Sequence, residues 1–257
     1  MKTHFFLCLL LFASSPLLFA QQSNLLYVWA GSGLNMRKTP AFDGEKLRTL
    51  PYGTPVEMLG FAEIVPQYND LEGDYEAPAV HYLEVMKTVF DNTPYTLEGS
   101  WIKVKAAGSE GFVFSGYLSD MPPHTSHEQE RTILSIKEGM AAFQAYMRKN
   151  KGVLKENEQQ IIFGDGASVT FDQQNPYAAK WVLPQCNEHD GYLLANYFLQ
   201  LEKKISMPED ASSLEFYHYD RPNGHLQFYF DEGANMELDL RFIAPDILLL
   251  TVTWGGC

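Results

Sequence analysis

Basic residues are scarce in this chain. Nineteen Lys and Arg face 32 Asp and Glu, a formal charge of −13 over 257 residues. A general nucleic-acid binder needs basic surface to neutralise phosphates, so that class is excluded. The same acidity opposes electrostatic attachment to an anionic membrane and favours solubility. Cysteine is scarcer still: Cys8, Cys186 and Cys257 are the whole complement. Apolar runs of membrane-spanning length are missing beyond the N-terminus, since Ile247 to Trp254 is only strand-length. No H-E-x-x-H or comparable three-ligand motif occurs, and no phosphate-binding glycine loop, because no Lys-Ser/Thr and helix follow Gly31-Ser32-Gly33.

The N-terminus has the pattern of a secretory signal over residues 1–20. Lys2 gives a positive start, Phe5 to Phe12 an apolar core, and Pro16 a break before Leu18-Phe19-Ala20 and Gln21. The run is too short, and too interrupted by Ser14, Ser15 and Pro16, to anchor in a bilayer. The expectation is export to the periplasm or extracellular space, with no membrane insertion after processing. Processing removes one Lys and no acid, leaving 18 bases against 32 acids and a charge of −14. It also removes Cys8. In an exported chain Cys186 and Cys257 then either form a disulfide, stabilising by roughly 4 kcal/mol on chain-entropy grounds, or stay as buried thiols.

From residue 25 the chain reads as short strands parted by turn formers. Leu34-Asn35-Met36-Arg37-Lys38-Thr39-Pro40 is followed by Leu50-Pro51-Tyr52-Gly53-Thr54-Pro55-Val56-Glu57-Met58-Leu59. Trp101-Ile102-Lys103-Val104, Glu110-Gly111-Phe112-Val113 and Gly116-Tyr117-Leu118 come later, in that order. The series resembles the bacterial SH3 domain, whose pattern is an L-N-x-R-x-x-P opening, a turn glycine before a strand, a W-x-K-V strand and a G-W-V/Y-L ending. The resemblance covers residues 25–120 and implies an all-β SH3-like barrel, autonomously folded, within a domain spanning 21–120. Phe112 stands where the family usually has Trp, keeping bulk and losing the indole donor. The resemblance implies that Asn35 and Arg37 brace the barrel. It also implies a ligand groove lined by aromatics, for which Tyr27, Trp29, Tyr52, Trp101 and Tyr117 are the candidates. Trp101 and Tyr117 match the family pattern most closely, and each equally suits a place in the barrel core.

Residues 61–99 are a long insertion. They carry Glu63, Asp70, Glu72, Asp74, Glu76, Glu84, Asp91 and Glu98 against Lys87 alone, with Tyr68, Tyr75, Tyr82 and Tyr95 interleaved. His81 to Val89 has strand character, with Thr96 to Lys105 as its partner. Either the insertion is a solvated acidic loop, or its aromatics and acids receive sugar rings or cationic groups.

Asp120-Met121-Pro122-Pro123-His124 reads as a linker to a second domain, 125–257. A helix is expected after Thr125 and Glu128, with Ile133, Ile136, Met140, Phe143 and Met147 on one face and Gly152 past its end. Ile161 to Phe171 reads as a hairpin around Asp165-Gly166, and Ala179 to Leu183 as a strand. Leu194, Tyr197, Phe198, Leu201 and Ile205 mark a second helix. Leu214–Asp220, His225–Asp231, Met236–Phe242 and Ile247–Trp254 read as four strands. Met236, Leu238, Leu240 and Phe242 alternate with Glu237, Asp239 and Arg241, so one face is buried and the other wet. The fold class is therefore an SH3-like barrel with an insertion, then an α+β domain: an antiparallel meander covered by two helices. No internal repeat stands out.

Catalytic constellations are thin. Exported bacterial SH3 domains often precede cell-wall peptidases that use Cys and His, which points to Cys186 in Pro184-Gln185-Cys186-Asn187-Glu188-His189-Asp190. The residue precedes a helix, but the glycine and serine expected beside such a nucleophile are missing and Glu188 and Asp190 oppose thiolate formation. His189 with Asp190, and His218 with Asp220 and His225, fall short of a metal site, and Gly164-Asp165-Gly166-Ala167 is a turn rather than a calcium loop. No catalytic residue, metal or cofactor is expected. The expectation is an exported, non-enzymatic binding protein for a cell-wall glycan, peptide or envelope protein. The alternatives are a hydrolase using Cys186, or an envelope scaffold that meets a basic partner through its acidic insertion.

Overall fold

The computed structural model describes residues 24–69, 73–86, 95–123, 136–173, 178–199, 214–220, 225–231 and 235–254. Two large antiparallel sheets and two helices make up the fold.

The first sheet contains β1 (Leu25–Val28), β2 (Leu34–Arg37), β3 (Lys46–Leu50) and β4 (Pro55–Phe61). After the insertion come β9 (Trp101–Ala106), β10 (Ser109–Phe114), a 3-10 turn (Ser115–Tyr117) and β11 (Leu118–Ser119). Its order is β11-β1-β4-β9-β10-β2-β3. No ladder joins β3 to β11 among the described residues, so the sheet is not a closed barrel there. Alternation builds its core: Ile102, Val104 and Ala106 point in, while Lys103 and Lys105 point out. They pack with Val28, Met36, Leu50, Val56 and Val113. Arg37 donates from Nη1 to Gly44 O at 2.6 Å, and Thr49 Oγ1 donates to Asn35 Oδ1 at 3.0 Å. Arg37 thus ties β2 to the turn at Gly44, and Asn35 ties β2 to β3.

The insertion forms two ribbons rather than a loop. β5 (Ile64–Asn69) pairs with β6 (Gly73–Pro78), and β7 (His81–Met86) with β8 (Tyr95–Gly99). The partner strand expected at Thr96–Lys105 divides at Ser100 into β8 and β9.

The second sheet has eight strands in the order β12-β13-β14-β15-β19-β18-β17-β16. Helix α1 (Ile136–Lys151) leads into β12 (Val153–Glu156), β13 (Gln160–Phe163), β14 (Ser168–Phe171) and β15 (Ala178–Pro184). Helix α2 (Glu188–Leu199) leads into β16 (Leu214–Asp220), β17 (His225–Asp231), β18 (Asn235–Ala244) and β19 (Ile247–Trp254). The expected capping box at Thr125 and Glu128 and the helical positions Leu201 and Ile205 lie outside the described residues. Gly152 (φ +67°) ends α1 in the left-handed conformation. Gly166 (φ +88°) makes the β13–β14 turn, where Ala167 N–H donates to Asp165 Oδ1 at 3.0 Å.

This wiring is an internal repeat. Each half is one helix followed by four sequential strands, and the halves meet through the antiparallel β15–β19 ladder, Trp181 opposite Leu250. The helices keep a trace of it. Glu138-Gly139-Met140-Ala141-Ala142-Phe143-Gln144-Ala145-Tyr146-Met147 runs parallel in residue type to Asp190-Gly191-Tyr192-Leu193-Leu194-Ala195-Asn196-Tyr197-Phe198-Leu199. The recurrence is one of wiring among the described residues, which the strand sequences do not display.

The two helices differ in burial. α1 is amphipathic, with Met140, Phe143, Tyr146 and Met147 buried and Glu138, Ala141, Ala145 and Lys149 exposed. In α2 every residue from Gly191 to Ala195, and Tyr197 and Phe198, is buried. A helix apolar on all sides needs cover on both, and α2 has it: the sheet beneath and the N-terminal unit above.

Candidate functional site

Trp29 holds the two units together. It is 1% exposed and meets three rings edge-on: Tyr52 at 5.8 Å, Tyr146 at 6.1 Å and Tyr197 at 5.7 Å between centroids. Its indole N–H donates to Met121 O at 3.2 Å. Tyr52 stacks flat on Tyr197, 4.3 Å apart with planes 9° apart. Beside the rings, Ser119 Oγ donates to Asp190 Oδ1 at 2.9 Å, and His189 Nε2 lies 2.9 Å from Leu118 O, which only accepts, so the ring donates. One hydrophobic core therefore includes Trp29, Trp101 and Phe114 from the first unit with Tyr146, Trp181 and Phe198 from the second.

That arrangement redistributes the five expected ligand aromatics. Trp29 faces α1 and α2, not solvent. Trp101, 3% exposed, lies beneath Phe42 and Phe114 with centroids 5.1 and 6.2 Å away. Tyr52 presents its face to Tyr197. Tyr27 and Tyr117 are half-buried against the shared core. Trp29 and Tyr52 thus fill the seam between units, while Trp101 packs within the first unit. The signal that could have shown this is the all-round apolar character of Tyr192 to Phe198.

Beside the seam is a cleft of about 280 Å³. Asp120, Met121 and Pro122 supply one wall as the chain leaves the first unit. Tyr146, Met147 and Lys151 come from α1, Asp165 and Ala167 from the β13–β14 turn, and Leu183 to Cys186 from the end of β15. Asp190 and Leu194 of α2 complete it. Lys151 Nζ and Asp165 Oδ2 form an ion pair at 3.0 Å. Gln185, on the wall, has φ +56°, a conformation costly for any residue but glycine and concentrated at functional sites. Asn187 caps α2 by accepting from Asp190 N–H at 3.0 Å. Burial raises the Asp190 carboxyl above its ordinary value, with Asp120 adding to the rise and the Ser119 hydroxyl bond and His189 opposing it. Burial likewise holds the Tyr146 phenol protonated, and the carboxylate of Asp190 reinforces that.

Cys186 is 4% exposed. Burial pushes its thiol well up, Asp190 pushes further and Lys151 only partly offsets them. His189, the nearest histidine in sequence, spends its Nε2 on the Leu118 carbonyl. Burial thus favours the neutral thiol, whose hydrogen bond goes to Asn187 O at 3.8 Å.

The expected Cys186–Cys257 bond involves Cys257, which lies outside the described residues, and Cys186 is a free thiol among those described. Cys186 N–H bonds Asp246 O at 3.1 Å, at the start of β19.

Among the described residues no group of three or more His, Cys, Asp or Glu is placed to hold a metal ion. His225 Nε2 instead contacts Asp239 Oδ1 at 2.7 Å across the β17–β18 pair, and Arg241 Nε donates to the same carboxylate at 2.9 Å. The His218 side chain lies outside what is described. No helix among the described residues is long and apolar enough to cross a membrane.

No family model, no curated protein and no solved structure matches this chain.

Proposed function

We propose that this is an exported, non-enzymatic binding protein of the periplasm or extracellular space, with an incompletely closed SH3-like unit docked on a repeated α-β4 unit. Its ligand is a cell-wall peptide fragment, taken in the cleft between the units. The observation that carries this reading is the convergence of polar groups on the cleft. The Lys151–Asp165 ion pair, Asp120 and Asp190 surround an opening whose remaining walls are largely apolar. A short peptide bearing both an amine and carboxylates matches that mixture, the amine toward the aspartates and a carboxylate toward Lys151. The SH3-like aromatics support binding indirectly, by fixing the two walls rigidly.

The test uses mature protein and soluble muropeptides. Calorimetry should register binding, and Lys151→Met and Asp165→Asn should each weaken it at least fivefold with the far-UV spectrum unchanged. Incubation with intact peptidoglycan should release nothing. Reproducible release of muropeptides, abolished by Cys186→Ala, would replace this reading with the hydrolase.

A further inference from the structure

The insertion carries an exposed apolar patch that the cleft does not explain. Leu59 and Phe61 at the end of β4, Ile64 and Val65 on β5, Val80, and Tyr82 on β7 are between 43% and 57% exposed. Their backbones meet at one junction, with Ile64 and Val65, adjacent in β5, on opposite faces of the ribbon. Ala62 N–H donates to Trp101 O at 2.9 Å, Ala79 N–H donates to Glu63 O at 3.1 Å, and the Glu63 carboxylate meets His81 Nε2 at 3.1 Å. The points where both ribbons leave the sheet are thereby tied together. Soluble proteins rarely group large apolar side chains in this way without a partner.

The strand edges at this junction are unequal. β8 faces inward: Leu97 is buried, and Gly99 comes so close to Gly116 and Phe114 that no side chain fits there. In the first ribbon β5 carries Pro66 and β6 ends at Pro78, residues that blunt an edge. β7 reads His81-Tyr82-Leu83-Glu84-Val85-Met86, with neither proline nor lysine. Among the described residues it is laddered only to β8. That leaves its other side without a ladder partner among the described residues.

Charge selects the occupant. Residues 61–99 hold eight acids and one lysine, so a second copy would set acid against acid. We propose that the free edge of β7 accepts a cationic, extended peptide segment of another protein as an added β-strand. Backbone hydrogen bonds along β7 supply the pairing, alternate apolar side chains cover Val80 and Tyr82, and the intervening lysines or arginines face the acidic insertion. This surface is separate from the cleft and does not depend on the cell-wall reading.

Fluorescence anisotropy with the full mature chain tests it. The probes are labelled octapeptides: alternating Lys-Val, alternating Glu-Val, and a Lys-Val version interrupted by proline. The Lys-Val peptide should bind at least tenfold more tightly than either control and weaken as salt rises. Tyr82→Lys and Val80→Lys should each lower its affinity at least tenfold, with unchanged far-UV spectra and unchanged muropeptide affinity. Absence of Lys-Val binding up to millimolar concentration would overturn the proposal. So would equal binding of the proline-interrupted peptide, which is electrostatics without strand pairing. Concentration-dependent self-association lost in Tyr82→Lys would assign the edge to a second copy instead.

Discussion

Trp29→Ala is the sharpest test of a fold whose units share one core. Trp29 is buried to 1% exposure, and its ring touches Tyr52 in its own unit and Tyr146 and Tyr197 on the two helices of the other. A buried Trp removes on the order of 200 Å² from water, about 5 kcal/mol at ~25 cal/mol/Å². Truncation to Ala keeps the β-carbon but leaves a cavity, so the expected loss is about 3–5 kcal/mol. Against a typical domain stability of about 5–15 kcal/mol, that loss leaves the chain marginal. Trp29→Phe keeps most of the bulk and strands the Met121 carbonyl, so its cost should be nearer 1–2 kcal/mol.

The decisive feature is where the loss is felt. Chemical unfolding of the mature chain should be followed by far-UV circular dichroism and by tryptophan fluorescence, since Trp29 and Trp101 report on the first unit and Trp181 and Trp254 on the second. With a shared core, both probes should move together to lower denaturant in Trp29→Ala. A cycle through Tyr52→Leu and Tyr197→Leu should show a coupling of about 0.5–1.5 kcal/mol from their stacked rings. The excised segment 25–120 retains the core around Met36, Val56 and Val104 and should fold, at lower stability, with Trp29 and Tyr52 newly exposed. Two separate transitions, with Trp29→Ala shifting only the first or costing under about 1 kcal/mol, would refute the reasoning.

Asp190→Asn should alter the pH dependence of stability. Its folded-state pKa is raised above the ordinary 3.8, so the stability linked to its proton is present below that value and lost as pH climbs through the raised one. Unfolding midpoints from pH 3 upward should therefore fall less steeply in Asp190→Asn than in the parent, and an unchanged slope would contradict the assignment. Gly191→Ala should destabilise by about 1–3 kcal/mol, because its new β-carbon would lie 2.9 Å from Leu248 and 3.0 Å from Phe242, as thermal melts can measure. Thiol labelling of mature protein unfolded without reductant should modify both Cys186 and Cys257, while folded protein at pH 8 should react slowly at Cys186. Protection of both would show instead that they are joined in a disulfide.

Sequence periodicity made the C-terminal strands legible where one face is dry and the other wet. Leu238 and Leu240 are fully buried while Glu237, Asp239 and Arg241 are not, which is the contrast that alternation reports. Asp165-Gly166 announced its turn because few residues tolerate the conformation that Gly166 adopts. Strand β12 escaped notice because all four of its residues are exposed and it lies at a sheet edge, where no burial pattern is imposed. The first insertion ribbon escaped for a related reason, since acids interleaved with tyrosines carry no clear period, whereas the second was expected at His81–Val89 with its partner from Thr96. The candidate site was the least legible part. Trp29 and Tyr52 have the same composition signature whether they meet a ligand or Tyr197, and only tertiary structure decides. Cys186 invited a catalytic reading by position; the opposing carboxylate of Asp190 was legible four residues on, whereas the burial that raises the thiol most arises only on folding.

Docking of the N-terminal unit on α2 explains how the cleft forms. Two α-β4 halves joined through β15 and β19 would present equivalent helices, with Glu138-Gly139 matching Asp190-Gly191. The N-terminal unit breaks that equivalence by binding α2 through Ser119, Leu118 and Tyr52, which bond or stack on Asp190, His189 and Tyr197. Glu138 keeps its exposed position on α1, while Asp190 is drawn under the seam, loses water and gains a hydroxyl donor. The same docking brings Asp120 and Pro122 opposite Lys151 and Asp165, so the cleft is lined from both units and neither alone can supply it. Any ligand held there reads the distance between the units. Its affinity should therefore fall in Trp29→Ala even though Trp29 does not line the cleft, and should be partly restored in Trp29→Phe. Wild-type affinity in a folded Trp29→Ala protein would separate the cleft from the seam and remove the link between them.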